Sequence, residues 1–338
     1  MNDATDDRHS EETAEWKPQF GLRNRHVQSL FASVKLRRPM MAKRAQEVLD
    51  RAQPYIFDCA EGGKIHGLLS CREDKPRKLA VLIHGWEGCA DSLYILSLAA
   101  HLYNAGYDIF RLHLRDHGPT HHLTEELFHA NRLDEVCEAL NKMQTQLEPE
   151  QWYLAGFSLG GNFALRVATK VQEFELKLSK VAAISPVLEP MHTLWALEHG
   201  LPIYRSYFRK KWLRSLRKKA DNHPGLIDYD AFYDRKSLTE MSDYFVGAHT
   251  PYANSEVYFK GYAVTGERLR QIQVETRLVL AEDDPVIPAR DLDHLNGNPL
   301  LKIVRSPYGG HCGFIENFKM ESWADRYIAD FLGEDAQR

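Results

Sequence analysis

Residues 156–160 read Gly-Phe-Ser-Leu-Gly, a serine framed by glycines where an apolar run meets a helical pattern. A serine at a sharp strand-to-helix turn can act as a nucleophile, and small neighbours are needed where the backbone crowds there. A hydroxyl at its ordinary pKa reacts poorly without a base, and that base needs an acid to orient it. Two later segments supply both. "LVLAEDDPVIP" places an acid directly after a strand pattern, Asp284 or, in its place, Asp283. "SPYGGHCGF" sets His311 in a glycine-flanked loop after the last strand pattern. Serine, acid and histidine in this order, each at a strand's carboxyl end, form a catalytic constellation.

Acyl transfer also needs donors for a developing oxyanion. "VLIHGWEGC" ends a strand in His84-Gly85-Trp86. The backbone N–H groups of Trp86 and of Leu159, which follows the serine, are the candidate donors. His84 reads as structural, bonding neighbouring loops. A second histidine-rich stretch, "HLRDHGPTHHL" at 113–123, raises the question of a metal. A binuclear site of the H-x-H-x-D-H type needs histidines where this chain has Leu112 and Leu114, and His113 falls on the opposite parity of a strand. The stretch therefore reads as a loop, with His117 and His121 as pocket-lining candidates and no metal.

These residues must be held by regular elements. Short apolar segments at 54–59, 64–70, 78–85, 107–114, 151–157, 180–186, 276–282 and 301–307 read as strands. The later ones are continuous runs, as expected of parallel strands buried on both faces. Helical patterns at 91–106, 131–147, 161–174 and 322–332 alternate with them, which predicts a doubly wound, mostly parallel α/β sheet with helices on both faces. The first two strands are close enough for an antiparallel lead-in hairpin.

Residues 187–270 carry helical material without a convincing strand and read as a lid inserted between two parts of the core, 16–186 and 271–338. Within it, "YRSYFRKKWLRSLRKK" (204–219) holds eight basic residues and no acidic one. Tyr204, Tyr207, Phe208, Trp212, Leu213 and Leu216 could share one helical face. Three readings stay open for this stretch: a solvated face, a surface for anionic head groups, or a partner-docking helix.

With 338 residues, 43% hydrophobic and 27% charged, the composition is that of an ordinary globular chain. A net charge of −4 argues against a general nucleic-acid binder. Five cysteines without CxxC spacing suit free thiols better than a disulfide framework. The acidic start, "MNDATDDRHSEETAEW", lacks the apolar core of a secretory signal, and residues 1–15 are expected to be a disordered tail. A cytoplasmic location is the expectation. The segment "RNRHVQS" reads as an arm packed on the sheet or the lid, with no chemistry of its own.

The chain resembles the α/β-hydrolases, and more narrowly the YheT-like subgroup, bacterial relatives of the embryogenesis-associated hydrolases. The matching pieces are "LRNRHVQSLFAS", "HGWEG", "GFSLGGN", "DDPVIP" and "GGHCGF", from about residue 20 to the end. One departure stands out: Arg115-Asp116-His117-Gly118 replaces an R-G-x-x-G-type stretch of many relatives. The resemblance implies hydrolysis of carboxylic esters, including lipid-like ones, by Ser158, Asp284 and His311. The expected protein is a serine hydrolase acting through an acyl-enzyme, with no cofactor and a small-molecule or lipid-like ester as substrate. A lipase, thioesterase or acyltransferase with the same triad is the near alternative, and a non-catalytic binding protein on the same fold is the distant one.

Overall fold

The computed structural model describes residues 9–74 and 76–334. Its strands are β1 (Ser10–Thr13), β2 (Ala52–Asp58), β3 (Lys64–Ser70), β4 (Lys78–Ile83), β5 (Asp108–His113), β6 (Gln151–Phe157), β7 (Leu178–Ile184), β8 (Thr276–Ala281) and β9 (Leu301–Ser306). They form one sheet in the order β1-β9-β8-β7-β6-β4-β5-β3-β2. Only β3 runs against its neighbours: it pairs antiparallel with β2 in the lead-in hairpin and with β5, while all other pairs are parallel.

The period-2 geometry of a strand splits each run between two cores. In β4, Leu79, Val81 and Ile83 enter one apolar cluster, and Ala80 and Leu82 enter the other. Helices α1 (Arg25–Ser33), α2 (Arg38–Arg44) and α3 (Gln46–Asp50) precede the hairpin, and α4 (Leu93–Asn104) follows β4. Helices α5 (Leu133–Leu147) and α6 (Leu159–Ala168) flank β6. Ile95, Leu98 and Leu102 of α4 cover one face, while Val136 and Leu140 of α5 and Phe163 of α6 cover the other.

Between β7 and β8 the chain is helical: α7 (Pro190–His199), α8 (Pro202–Asn222), α9 (Tyr229–Asp234), α10 (Leu238–His249) and α11 (Ser255–Lys260). The breaks are written locally. The Asp228 carboxylate accepts the Ala231 N–H, Ser237 and Glu240 form a reciprocal capping box, and the Asn254 side chain accepts the Val257 N–H. These helices have no separate core: Leu213, Leu216, Phe232, Met241 and Phe245 join the cluster that α5 and α6 cover. Helix α12 (Trp323–Gly333) lies on the opposite face through Ile328 and Phe331.

Three expectations are corrected. Residues 10–13 are not a disordered tail, because Ser10–Thr13 pairs parallel with Lys302–Arg305 and Lys302 and Arg305 form ion pairs with Glu12 and Glu11; residues 1–8 lie outside the described residues. The helix expected at 161–174 runs from Leu159 to Ala168: its first glycines pack against strand backbone instead of forming a loop, and at its end the Thr169 and Lys170 N–H groups turn back to the Arg166 and Val167 carbonyls. Tyr207 lies at the edge of the α8 face and is exposed, with the Lys211 ammonium 4.9 Å above its ring.

Candidate active site

Ser158 sits between β6 and α6 at φ 54°, ψ −117°. Such a backbone is strained for any residue with a Cβ and holds the hydroxyl proud of the turn. The flanking glycines are required by contact. A Cβ on Gly160 would lie 2.3 Å from the Ile83 carbonyl oxygen, and one on Gly156 would lie 2.1 Å from the Gly160 oxygen. Behind the turn, the Ser158 N–H donates to the Ile184 carbonyl of β7.

His311 faces this serine with its Nε2 3.0 Å from the Ser158 Oγ. Its Nδ1 lies 2.9 Å from the Asp284 Oδ2, and the Asp284 side chain is fully buried. The other Asp284 oxygen accepts the N–H groups of Val286 and Ile287 at 2.8 and 3.0 Å. Asp283 takes a different place, accepting the Gly310 N–H at 2.8 Å, so of the two acids it is Asp284 that meets the imidazole. Burial of the ring works against the imidazolium, but the Asp284 carboxylate and Cys312 outweigh it and hold His311 well above its ordinary value of 6.5.

The segment "RNRHVQS" has a place here that its sequence did not reveal. Asn24 caps α1 by accepting the His26 and Val27 N–H groups. The Ser29 Oγ then accepts the His311 N–H at 2.8 Å and donates to the Arg25 carbonyl. Gln28 reaches the same loop from both ends of its amide: Nε2 donates to the Ile315 and Leu22 carbonyls, and Oε1 accepts the Ile315 N–H. Glycine is needed where the two meet, because a Cβ on Gly310 (φ +52°) would lie 2.4 Å from the Arg25 oxygen. The only available signal was polar residues at i and i+1 on a short helix facing a glycine-rich loop far away in sequence.

Gly85 brings the end of β4 against the serine turn; a Cβ there would lie 3.0 Å from the Ser158 Cβ. The Tyr94 hydroxyl accepts the Gly85 N–H, and the Gly88 N–H donates to the Gly85 carbonyl, closing the turn that carries Trp86. Leu159 is the first residue of α6, so its N–H has no intrahelical acceptor. The Trp86 ring stacks on Phe208 with centroids 5.6 Å apart and packs edge-on to Trp212.

Of the histidines of 113–123, His113 and His121 are engaged by neighbouring protein groups. His113 Nε2 accepts the Ala90 N–H, so its Nδ1 carries a proton toward His66 Nδ1 3.0 Å away. His84 donates from Nδ1 to the Gly85 carbonyl and accepts the Leu114 N–H on Nε2. His121 Nε2 meets the Ser215 Oγ at 2.9 Å, and His122 is exposed. Among the described residues no three His, Cys, Asp or Glu side chains are grouped to hold a metal ion. A cavity of about 130 Å³ opens beside the serine turn under α7, α8 and α10, with Trp86, Leu159 and Val187 on its wall. Ser158 and His311 are not among its lining residues. His117 lines it, whereas His121 does not: its bond to Ser215 keeps it behind the wall.

The chain as a whole is similar to several known proteins. Residues 79–318 match the family described as alpha/beta hydrolase fold. The chain is 18% identical to a monoacylglycerol lipase of Saccharomyces cerevisiae, over 77% of this chain and 60% of that protein. It is 20% identical to an embryogenesis-associated protein of Picea glauca, over 91% of this chain and 70% of that one. Among solved structures, an esterase of Pyrococcus furiosus superposes with a TM-score of 0.55 at 13% identity, covering 86% of this chain and 94% of the esterase.

Proposed function

The chain belongs to the alpha/beta hydrolase fold family, and from that premise we propose that it is a serine hydrolase of carboxylic esters. The observation that carries this reading is the continuous hydrogen-bonded line from Asp284 through His311 to Ser158. In the reaction, His311 Nε2 takes the Ser158 proton as Oγ attacks the ester carbonyl. Asp284 keeps the proton of the resting imidazole on Nδ1 and stabilises the imidazolium that forms. The Trp86 and Leu159 amides bind the oxyanion; losing one such donor typically costs on the order of 10²–10³ in turnover. The protonated His311 then releases the alcohol, and water activated by the same ring hydrolyses the acyl-enzyme.

Residues 187–270 serve as a lid, with Trp86 held between the nucleophile turn and the aromatic face of α8. A lipase reading of the same site is favoured by one surface. Trp195, Leu201 and Ile203 are exposed, and α8 carries the exposed cations Lys210, Arg214 and Lys218; exposed apolar and cationic side chains on one inserted segment suit an anionic lipid interface. The name of the yeast relative points the same way, as does the likeness of the quoted motifs to the YheT-like subgroup. No helix among the described residues is long and apolar enough to cross a membrane.

The test is fluorophosphonate labelling together with hydrolysis of p-nitrophenyl esters of increasing acyl length. Labelling and turnover are expected in the intact protein and lost in Ser158→Ala, by a factor of about 10⁴ or more in kcat. Persistence of both in that variant overturns the reading, and loss of turnover with EDTA alone would return the chemistry to a metal. Absence of both in the intact protein would leave a binding protein on a hydrolase fold.

A further inference from the structure

The cavity beside the nucleophile turn is apolar over most of its wall, with Leu127, Phe128, Leu194, Leu197 and Phe245 among its lining residues. Two of the polar groups on that wall each hold an atom without a partner. His117 is buried at 2% exposure, and its Nδ1 lies 2.6 Å from the Arg115 carbonyl oxygen. A carbonyl can only accept, so Nδ1 carries the ring proton and Nε2 is left as a bare acceptor. Among the described residues that Nε2 is buried with no hydrogen-bond partner, and so is the hydroxyl of Thr193 on α7. Both residues line this one cavity, one from the loop after β5 and one from the inserted helices.

A buried acceptor left unpaired costs roughly 1–3 kcal/mol, so a ligand that supplies a donor is selected over one that does not. The surroundings restrict the donor. The Lys219 ammonium that lines the cavity is already paired with Asp116, and burial keeps the Glu87 carboxyl there protonated up to about pH 8, so a cationic donor would enter without a counter-ion. A carboxylate or phosphate has no proton to give. Burial keeps the His117 ring neutral down to about pH 4, which leaves Nε2 an acceptor throughout the physiological range. What remains is a neutral donor; a hydroxyl on an otherwise aliphatic chain supplies one without the extra carbonyl that an amide would bring into a mostly apolar wall.

We propose that this cavity is a binding subsite for a hydroxylated aliphatic chain of the ester substrate, the hydroxyl donating to His117 Nε2 and meeting the Thr193 hydroxyl. The assignment rests on the serine-hydrolase reading above and narrows its substrate class. The hydroxyl can belong to the acyl chain or to the alcohol portion.

Two substrate series separate these sources. In one, kcat/KM for p-nitrophenyl hexanoate is compared with that for its 3-, 5- and 6-hydroxy derivatives; in the other, hexyl acetate is compared with 6-hydroxyhexyl acetate. The hydroxylated member of one series is expected to be preferred by about 10-fold or more, and that series identifies the source. His117→Phe, which keeps a ring against Phe128 and His84, and Thr193→Val, which replaces only the hydroxyl, are each expected to bring the ratio toward one. Equal rates in both series for protein whose Ser158 still takes the fluorophosphonate label would overturn the subsite and leave the hydrolase reading intact. A preference unchanged in both variants would overturn it as well. Absent labelling would instead be the failure of the hydrolase reading itself.

Discussion

The Lys219 ammonium lies 2.8 Å from the Asp116 carboxylate, and both side chains are buried. Lys219 closes a stretch whose cations look alike in sequence, yet it turns inward while Lys210, Arg214 and Lys218 face solvent. Asp116 also accepts the Phe128 N–H, and the ammonium donates to the Thr124 carbonyl. The pair therefore ties α8 to the loop after β5, beside the cavity.

Breaking one side of such a pair leaves an uncompensated buried charge. Lys219→Met is expected to cost about 3–5 kcal/mol, and adding Asp116→Asn is expected to recover part of that. Urea denaturation of the two variants and the intact protein measures both numbers. A single-variant loss below about 1 kcal/mol would show that the pair is solvated.

The raised pKa of His311 has a worked sign. As a base the ring must be neutral, so kcat/KM should rise with pH through an inflection above 6.5. Asp284→Asn should move that inflection down and lower kcat by roughly 10⁴. The folded state binds this proton more tightly than the unfolded chain. Its contribution to stability is therefore fully present below about pH 6.5 and is lost as pH rises through the folded value. A pH–rate profile checks the first part, and the stability difference between the intact protein and His311→Gln across pH 6 to 9 checks the second.

Ser29 touches neither the Ser158 hydroxyl nor the His311 ring, yet it fixes the backbone of His311. Ser29→Ala leaves the His311 N–H without its acceptor, and kcat should fall about 5- to 10-fold with KM nearly constant. A change confined to KM, with kcat intact, would count against this positioning role.

The two glycines that follow Leu159 should behave differently. A Cβ on Gly160 would meet backbone oxygens of Ile83 and His84 at 2.3 and 2.5 Å, neither of which can swing aside. One on Gly161 would have its nearest contacts at 3.1 Å. Gly160→Ala is expected to destabilise by about 3 kcal/mol or more, and Gly161→Ala by clearly less. Thermal denaturation of the pair decides it; equal losses would contradict the packing.

Much of this protein is local enough to be legible along the chain. Continuous apolar runs between amphipathic segments predict buried parallel strands, because burial on both faces removes alternation. The strand-end placement of Ser158, Asp284 and His311 follows from the same pattern, since a parallel sheet gathers its carboxyl ends on one edge. The helical character of 187–270 is likewise written in its own caps and spacing. What the chain alone left open were the pairings between distant residues. Asp283 and Asp284 are neighbours of identical type, and only the approach of the His311 loop distinguishes them. Nothing in "RNRHVQS" says that Gln28 and Ser29 will meet a loop more than 280 residues away. The basic stretch hides one buried ion pair, because charge counts along a helix do not say which side chain faces a carboxylate. The histidine-rich loop, which by composition invites a metal, is divided among separate backbone and side-chain partners once the sheet is assembled. Residue types and spacing determine which chemistry the chain can hold; hydrogen bonds and burial made at long sequence separation decide which residues carry it.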